Sequence, residues 1–83
     1  MTEHELKSWP MFFEPVLQQL KTFEIRFNDR GYKVGDTLLL REWDPNTKKY
    51  SGREVRRRVL YVTEYMQTPG WVTMSIEPWW EKP

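Results

Sequence analysis

The chain has 83 residues, one histidine and no cysteine, and its 13 basic and 12 acidic side chains leave a net charge of +1. This composition predicts one small domain over residues 1–83 with a thin core, and it argues against a disulfide framework, a metal site, a bound cofactor and bulk electrostatic binding of nucleic acid. Since no apolar run approaches ~18 residues and no signal peptide is visible, we expect a cytoplasmic protein without membrane association. We also expect a monomer.

The first predicted elements are a strand from Glu3 to Lys7 and a helix that begins at Pro10, which suits the first helical position. A stripe of apolar residues at helical spacing is predicted to be buried: Phe13, Val16, Leu17 and Leu20. Pro15 forfeits a hydrogen bond and crowds the carbonyl of Met11, which predicts a kink or a second helix starting there. Residues 18–20 lack a glycine, so a left-handed residue at this helix end would carry roughly 1 kcal/mol of strain.

The second strand is predicted from Thr22 to Phe27, because its side chains alternate strictly between apolar and polar. Phe23, Ile25 and Phe27 share one face, which we predict to enter the core. Glu24 and Arg26 share the opposite face with Thr22, and we predict that both lie outside the core in a cleft.

A polar loop follows, in which Gly35 suits a turn into the next strand because it can adopt a positive φ. That strand, predicted from Thr37 to Trp43, has three consecutive leucines, which is typical of a strand covered on both sides, as in a small closed barrel. The longest strand is predicted from Arg53 to Tyr65. Its apolar residues change sides midway, which indicates a bulge near Arg58.

The last strand is predicted from Trp71 to Glu77 and ends at Pro78. Trp79 and Trp80 then either fold back over one end of the barrel or bind a partner, within a tail, 78–83, that is expected to fray. One end of the molecule is predicted to be basic, through Lys48, Lys49, Arg53, Arg56, Arg57 and Arg58. These side chains either form a charged rim that protects a hairpin edge or make secondary phosphate contacts.

Four short motifs together carry a family resemblance: His4-Glu5-Leu6-Lys7, Lys-Thr-x-Glu-x-Arg at 21–26, Asn-Asp-Arg-Gly at 28–31 and Val-Gly-Asp at 34–36. The combination resembles the signature of the ASCH superfamily, which is related to the PUA RNA-binding domain. Within it, the chain is most similar to a family of small, uncharacterised bacterial and phage proteins. The resemblance implies an α+β, mainly β fold, a PUA-like pseudo-barrel of about five strands with one helix.

The resemblance further implies that RNA, or a nucleotide with a modified base, lies in a cleft between the helix and the barrel. The predicted ligand-binding residues are His4, Lys7, Trp9, Lys21, Glu24, Arg26, Asn28, Arg30 and Tyr32. Among them, Lys21, Arg26 and Arg30 would contact phosphate. Glu24 and Asn28 would read base or ribose edges, while Trp9 and Tyr32 would stack on bases, as is usual for single-stranded RNA.

Two alternatives stay open beside a binding module. Some ASCH-like proteins hydrolyse an acetyl group from a cytidine or cut RNA, which implies a small hydrolase with Lys21 and Glu24 as catalytic candidates. In the amidohydrolases a threonine nucleophile stands where this chain has Glu24, and this departure argues against the same chemistry, although a buried carboxylate can act as a general base. The other alternative is a phage or mobile-element protein that binds a host protein through its aromatic surface.

Overall fold

The computed structural model describes residues 1–78, which form one helix and five strands. The elements are β1 (Glu3–Ser8), α1 (Pro10–Leu17), β2 (Phe23–Phe27), β3 (Thr37–Asp44), β4 (Lys49–Thr63) and β5 (Trp71–Pro78). This confirms the predicted α+β, mainly β fold. The interpretations of Trp79 and Trp80 lie outside the described residues. Over residues 1–78, no helix has the length and apolar character needed to cross a membrane.

The five strands form a single curled sheet in the order β1-β3-β4-β5-β2. β1 pairs with β3 in parallel, and the other three neighbouring pairs are antiparallel. A parallel pair requires a crossover connection, and here α1 and β2 occupy it. β1 and β2 are the two edges of the sheet, so the architecture is a half-barrel that stays open between them rather than a closed barrel.

The core lies on the concave face of this sheet, under α1. It consists of Leu6, Phe13, Val16, Tyr32, Leu38, Leu40, Val59, Val72, Met74 and Ile76. Leu39, between two core leucines of β3, is also buried. β3 is therefore covered on both faces, as its run of three leucines indicates.

The predicted burial of β2 is wrong. Glu24 is only 3% exposed, whereas Phe23, Ile25 and Phe27 are 43%, 49% and 51% exposed. The cause is the register with β5, because Glu24 lies opposite the core residue Met74 and therefore shares its concave face. Alternation identifies which side chains share a face, but it does not identify which face is buried.

The helix continues through Pro15 and ends at Leu17, so the predicted second helix is absent from residues 1–78. Phe13 and Val16 are buried, whereas Leu17 and Leu20 are exposed, which shortens the predicted stripe. Gln19 is left-handed, with a φ of 61°. The amide of Gln19 donates to the carbonyl of Val16 at 3.0 Å and that of Leu20 to Pro15 at 2.9 Å, a Schellman ending that usually has glycine in this place.

The long strand β4 is irregular at two places. A one-residue bulge at Leu60, between Val59 and Tyr61, moves the apolar side chains to the other side of the strand. The bulge predicted near Arg58 is thus found two residues further along. The second irregularity is opposite Glu42 of β3, whose carboxylate accepts hydrogen bonds from Ser51 and Arg53 of β4.

Candidate functional site

A cleft of about 1130 Å³ opens between the two sheet edges and the start of α1. This volume is at the upper end for small-molecule sites and accommodates a ligand of nucleotide size. β1 supplies one wall and β2 the other, and the loop after β2 adds Arg30 and Tyr32. The cleft exists because β1 and β2 diverge instead of pairing, which leaves both strand edges facing the same space.

An ion triad centred on Glu24 lines this cleft. The Lys21 ammonium lies 2.5 Å from Oε2 of Glu24, and Nε and Nη2 of Arg26 lie 3.1 Å and 2.9 Å from Oε1. Both cations are more accessible than the carboxylate between them. Glu24 therefore compensates and orients two cations, and the triad as a whole presents one net positive charge to the cleft.

The same two cations also bind the free edges of the sheet. Nη2 of Arg26 donates to the carbonyl of Lys7 at 3.1 Å, so its guanidinium spans the gap from β2 to β1. The ammonium of Lys21 donates to the carbonyl of Phe23 at 2.8 Å. Unpaired strand edges invite further pairing, and these side chains occupy groups that another strand would use.

Six large aromatic side chains line the cleft while remaining 40–51% exposed: Trp9, Phe12, Phe23, Phe27, Tyr50 and Trp71. Trp9 stacks on Phe12 with ring centroids 6.2 Å apart, and Phe27 meets Trp71 edge to face at 5.9 Å. The ammonium of Lys21 lies 4.8 Å from the centroid of the Phe23 ring. The cleft thus combines accessible rings with cations, which is the surface chemistry that planar anionic ligands require.

The structure brings seven of the nine predicted ligand-binding residues to this cleft: Lys7, Trp9, Lys21, Glu24, Arg26, Arg30 and Tyr32. His4 and Asn28 do not line it. The side chain of Asn28 accepts a hydrogen bond from the amide of Tyr32 at 3.1 Å, so it shapes the loop instead. That the seven residues bind a ligand remains a prediction.

His4 is buried and belongs to a structural contact at the base of the loop. Its Nε2 lies 2.8 Å from Oδ2 of Asp36, and its ring packs edge to face on Tyr32. Burial of the Asp36 carboxyl opposes its charged form, but hydrogen bonds from His4 and from the amides of Thr2 and Lys33 outweigh this and lower its pKa. Burial raises the pKa of Tyr32, so its hydroxyl stays protonated at neutral pH.

Three of the six residues at the predicted basic end of the molecule are engaged by carboxylates or carbonyls. Arg53 bridges Glu42 and Glu14 at 3.0 Å and 2.7 Å, and hydrogen bonds to both raise its pKa. Arg56 pairs with Glu3 at 2.7 Å. Arg57 is buried, which lowers its pKa, and it donates to the carbonyl of Val16 at the end of α1.

Lys48 and Lys49 are exposed at the hairpin, and Arg58 is half-buried in β4. A phosphate at Arg53 or Arg56 would therefore compete with carboxylates already bound to these two arginines. These contacts favour the interpretation of this end as a charged rim.

Ten of the residues that line the cleft were not among the predicted ligand-binding residues, and they include Ser8, Phe12, Tyr50 and Trp71. The sequence pattern could have predicted the position of Ser8, since Ser8 alternates with His4 and Leu6 along β1 and so shares their buried face. No sequence pattern could have predicted Trp71 in the cleft, because its position depends on the strand register that sets it opposite Phe27. Tyr50 approaches the cleft from the β3–β4 hairpin, where the Arg41 guanidinium lies 3.9 Å from its ring centroid.

Comparison with known proteins identifies a family and a relative. Residues 3–76 match the family described as "Domain of unknown function (DUF3850)". The chain is also 41% identical over 61 residues to the "Uncharacterized 12.9 kDa protein in GpA 3′region" of Escherichia phage P2. This alignment covers 74% of the chain and 54% of the phage protein, so the chain spans about half the length of that relative. The phage relative agrees with the predicted similarity to small phage proteins.

Proposed function

The chain belongs to the DUF3850 family, and from its cleft we propose that it binds single-stranded RNA or a single nucleotide between β1, β2 and α1. The observation that carries this proposal is the convergence of six exposed aromatic rings with cationic side chains on one concave surface. Single-stranded nucleic acid is recognised by this combination, since bases stack on rings while phosphates meet cations. The resemblance of residues 21–36 to the ASCH superfamily, related to the PUA RNA-binding domain, supports the same assignment.

The exposure of these rings indicates a binding surface rather than the ordinary scatter of single apolar residues on a protein surface. A domain of this size buries only about 60% of the surface of its unfolded chain, less than a larger domain does, and needs its large apolar side chains for the core. Single exposed apolar residues are ordinary on protein surfaces, but a contiguous exposed patch usually marks a binding site. The ammonium of Lys21 lies 5.8 Å and 4.8 Å from the ring centroids of Phe12 and Phe23, and Trp9 stacks on Phe12. Such an arrangement offers both ring faces and a charge to one ligand.

The charges of the cleft fit a nucleotide or a short single strand better than a duplex. The residues that line it include the cations Lys7, Lys21, Arg26 and Arg30 and the carboxylates of Glu5, Glu24 and Asp29. A groove for duplex backbone would be more uniformly basic. Mixed charge suits a ligand that presents one or two phosphates beside neutral base edges.

The hydrolase and host-protein alternatives remain predictions. Both oxygens of Glu24 accept hydrogen bonds from cations, so the carboxylate serves to hold Lys21 and Arg26 rather than standing free as a general base. The exposed rings that suit nucleobases would also suit an apolar protein surface. Binding to RNA and its dependence on salt therefore distinguish the proposal from a protein partner.

The test is a titration of the protein with a short unstructured RNA and with duplex RNA, followed by tryptophan fluorescence at several salt concentrations. We expect the single strand to bind in preference to the duplex, with log K falling as log salt rises because a few phosphates are neutralised. Arg30→Ala in the cleft should weaken binding and flatten that slope. Lys48→Ala at the hairpin, the matched control, should leave both unchanged. A salt slope of zero for the wild-type protein would contradict the proposal and favour a protein partner.

A further inference from the structure

Ser8 is the last residue of β1, lines the cleft and is 2% exposed. Its hydroxyl is the one fully buried side-chain polar atom in residues 1–78 that has no hydrogen-bond partner. We propose that this hydroxyl binds a neutral polar group of the nucleotide, on the base or the ribose, when the cleft is occupied. The inference rests on the proposed function and adds to it a residue that determines specificity.

The unpartnered hydroxyl is the first reason. A buried polar group without a hydrogen bond loses its hydration and gains nothing in return, so such groups are rare in folded proteins. Alanine would fill nearly the same space without that loss. The neighbouring inward positions of β1 show the usual outcome, since Leu6 is apolar and His4 is bonded to Asp36. Ser8 alone among them keeps a polar atom without a partner, and it lines the cleft.

The position of Ser8 identifies the kind of group it meets. The hydroxyl is neutral and enclosed, and it can donate one hydrogen bond and accept others. The cations that would meet a phosphate are more accessible, since the side chains of Lys21, Arg26 and Arg30 are all exposed to a greater degree. A phosphate therefore stays near the mouth with the cations, while the base or ribose reaches inward to Ser8.

Access to this hydroxyl is coupled to Arg26. The guanidinium of Arg26 binds the carbonyl of Lys7, which belongs to the peptide group that joins Lys7 to Ser8. A phosphate that binds Arg26 competes for the same N–H groups and releases this contact between the two edges. The gap beside Ser8 then widens, and the ligand reaches a hydroxyl that is enclosed while the cleft is empty.

The experiment compares Ser8→Ala with Ser75→Ala, a half-buried serine of β5 that does not line the cleft. Melting temperature is measured first, and then the affinities for the four ribonucleoside 5′-monophosphates and for inorganic phosphate. We expect Ser8→Ala to melt at the wild-type temperature or above, because it removes a hydroxyl without a partner. Its affinity for the best-bound nucleotide should fall about tenfold, while its affinity for inorganic phosphate stays unchanged.

The outcomes distinguish a failure of the proposed function from a failure of the proposed role of Ser8. If the wild-type protein binds neither nucleotide nor RNA, the proposed function fails and the role of Ser8 fails with it. If the wild-type protein binds nucleotide and Ser8→Ala binds it equally well, only the role of Ser8 is overturned. A lower melting temperature with equal losses for nucleotide and phosphate would also overturn it, because that pattern indicates a structural hydroxyl.

Discussion

At the scale of single residues, Glu24 decides how the cleft is built. A carboxylate buried on the concave face of an edge strand would be strongly unfavourable alone, and two cations bonded to it remove most of that cost. The result is a fixed arrangement in which Lys21 and Arg26 face the cleft before any ligand arrives. Binding sites gain affinity from such preorganisation, because less ordering remains to be done when the ligand binds.

Replacing Glu24 should therefore affect folding. Glu24→Gln keeps the shape but leaves Lys21 and Arg26 without a counter-charge, so the free energy of unfolding should fall by about 2–3 kcal/mol. The control is Glu54→Gln, which breaks an exposed pair with Arg41 and should cost no more than about 0.5 kcal/mol. Urea denaturation of both variants measures the difference. If Glu24→Gln lowers the free energy of unfolding no more than Glu54→Gln does, the ion triad contributes nothing to the stability of the fold.

Asp36 makes the stability of the fold depend on acid pH. Its folded pKa is lowered, so the stabilisation is complete above its ordinary pKa of 3.8 and is lost as the pH falls through the folded value. Asp36→Asn should reduce the free energy of unfolding by about 2 kcal/mol at pH 5, because it weakens the hydrogen bonds to His4, Thr2 and Lys33. The difference in the free energy of unfolding between the variant and the wild type, measured by urea denaturation, should narrow below pH 4. A gap that stays constant down to pH 2.5 would refute this role.

At the scale of elements, the end of α1 contains the clearest local strain. Gln19 occupies the left-handed position of the Schellman ending, where a side chain is disfavoured and glycine is not. Lys21 follows two residues later, so this turn also sets where the ammonium of the ion triad begins. The absence of glycine in residues 18–20 predicts strain only if one of them is left-handed, and Gln19 is.

Gln19→Gly should relieve that strain. We expect the free energy of unfolding to rise by up to about 1 kcal/mol, since the gain from removing the left-handed side chain exceeds the added entropy of the unfolded chain. Gln18→Gly is the matched control, because Gln18 has a negative φ of −83° and gains nothing from glycine. Thermal melting compares the two. If Gln19→Gly is as destabilising as Gln18→Gly, the left-handed turn is not a source of strain.

The elements also show what a sequence can and cannot predict. Periodicity predicted the strands and the helix, since it reports which side chains share a face. It failed on the burial of Phe23, Ile25 and Phe27, because the orientation of β2 depends on its pairing with β5 and on Phe13 and Val16 of α1 filling the core. It also missed Trp71 in the cleft, since a contact made by register cannot be read from spacing along the chain.

At the scale of the whole molecule, the open edge of the half-barrel is the feature on which the functional account depends. The sheet curls far enough to bury one core, but β1 and β2 stay apart, and a side-chain contact from Arg26 to Lys7 spans the space where a ladder would lie. The gap holds the exposed rings and the cations together. The overall charge is close to neutral, so the cleft, and not the net charge, must provide any affinity for nucleic acid.

The central claim is that the exposed rings of the cleft stack on nucleobases, and one measurement tests it most directly. Affinity for a short unstructured RNA is measured for Trp9→Ala and Phe12→Ala, with Tyr65→Ala, an exposed ring outside the cleft, as the control. Loss of one stacking contact should weaken binding by roughly 5- to 150-fold, with melting temperatures close to wild type, while Tyr65→Ala binds normally. Wild-type affinity in both cleft variants would contradict the account.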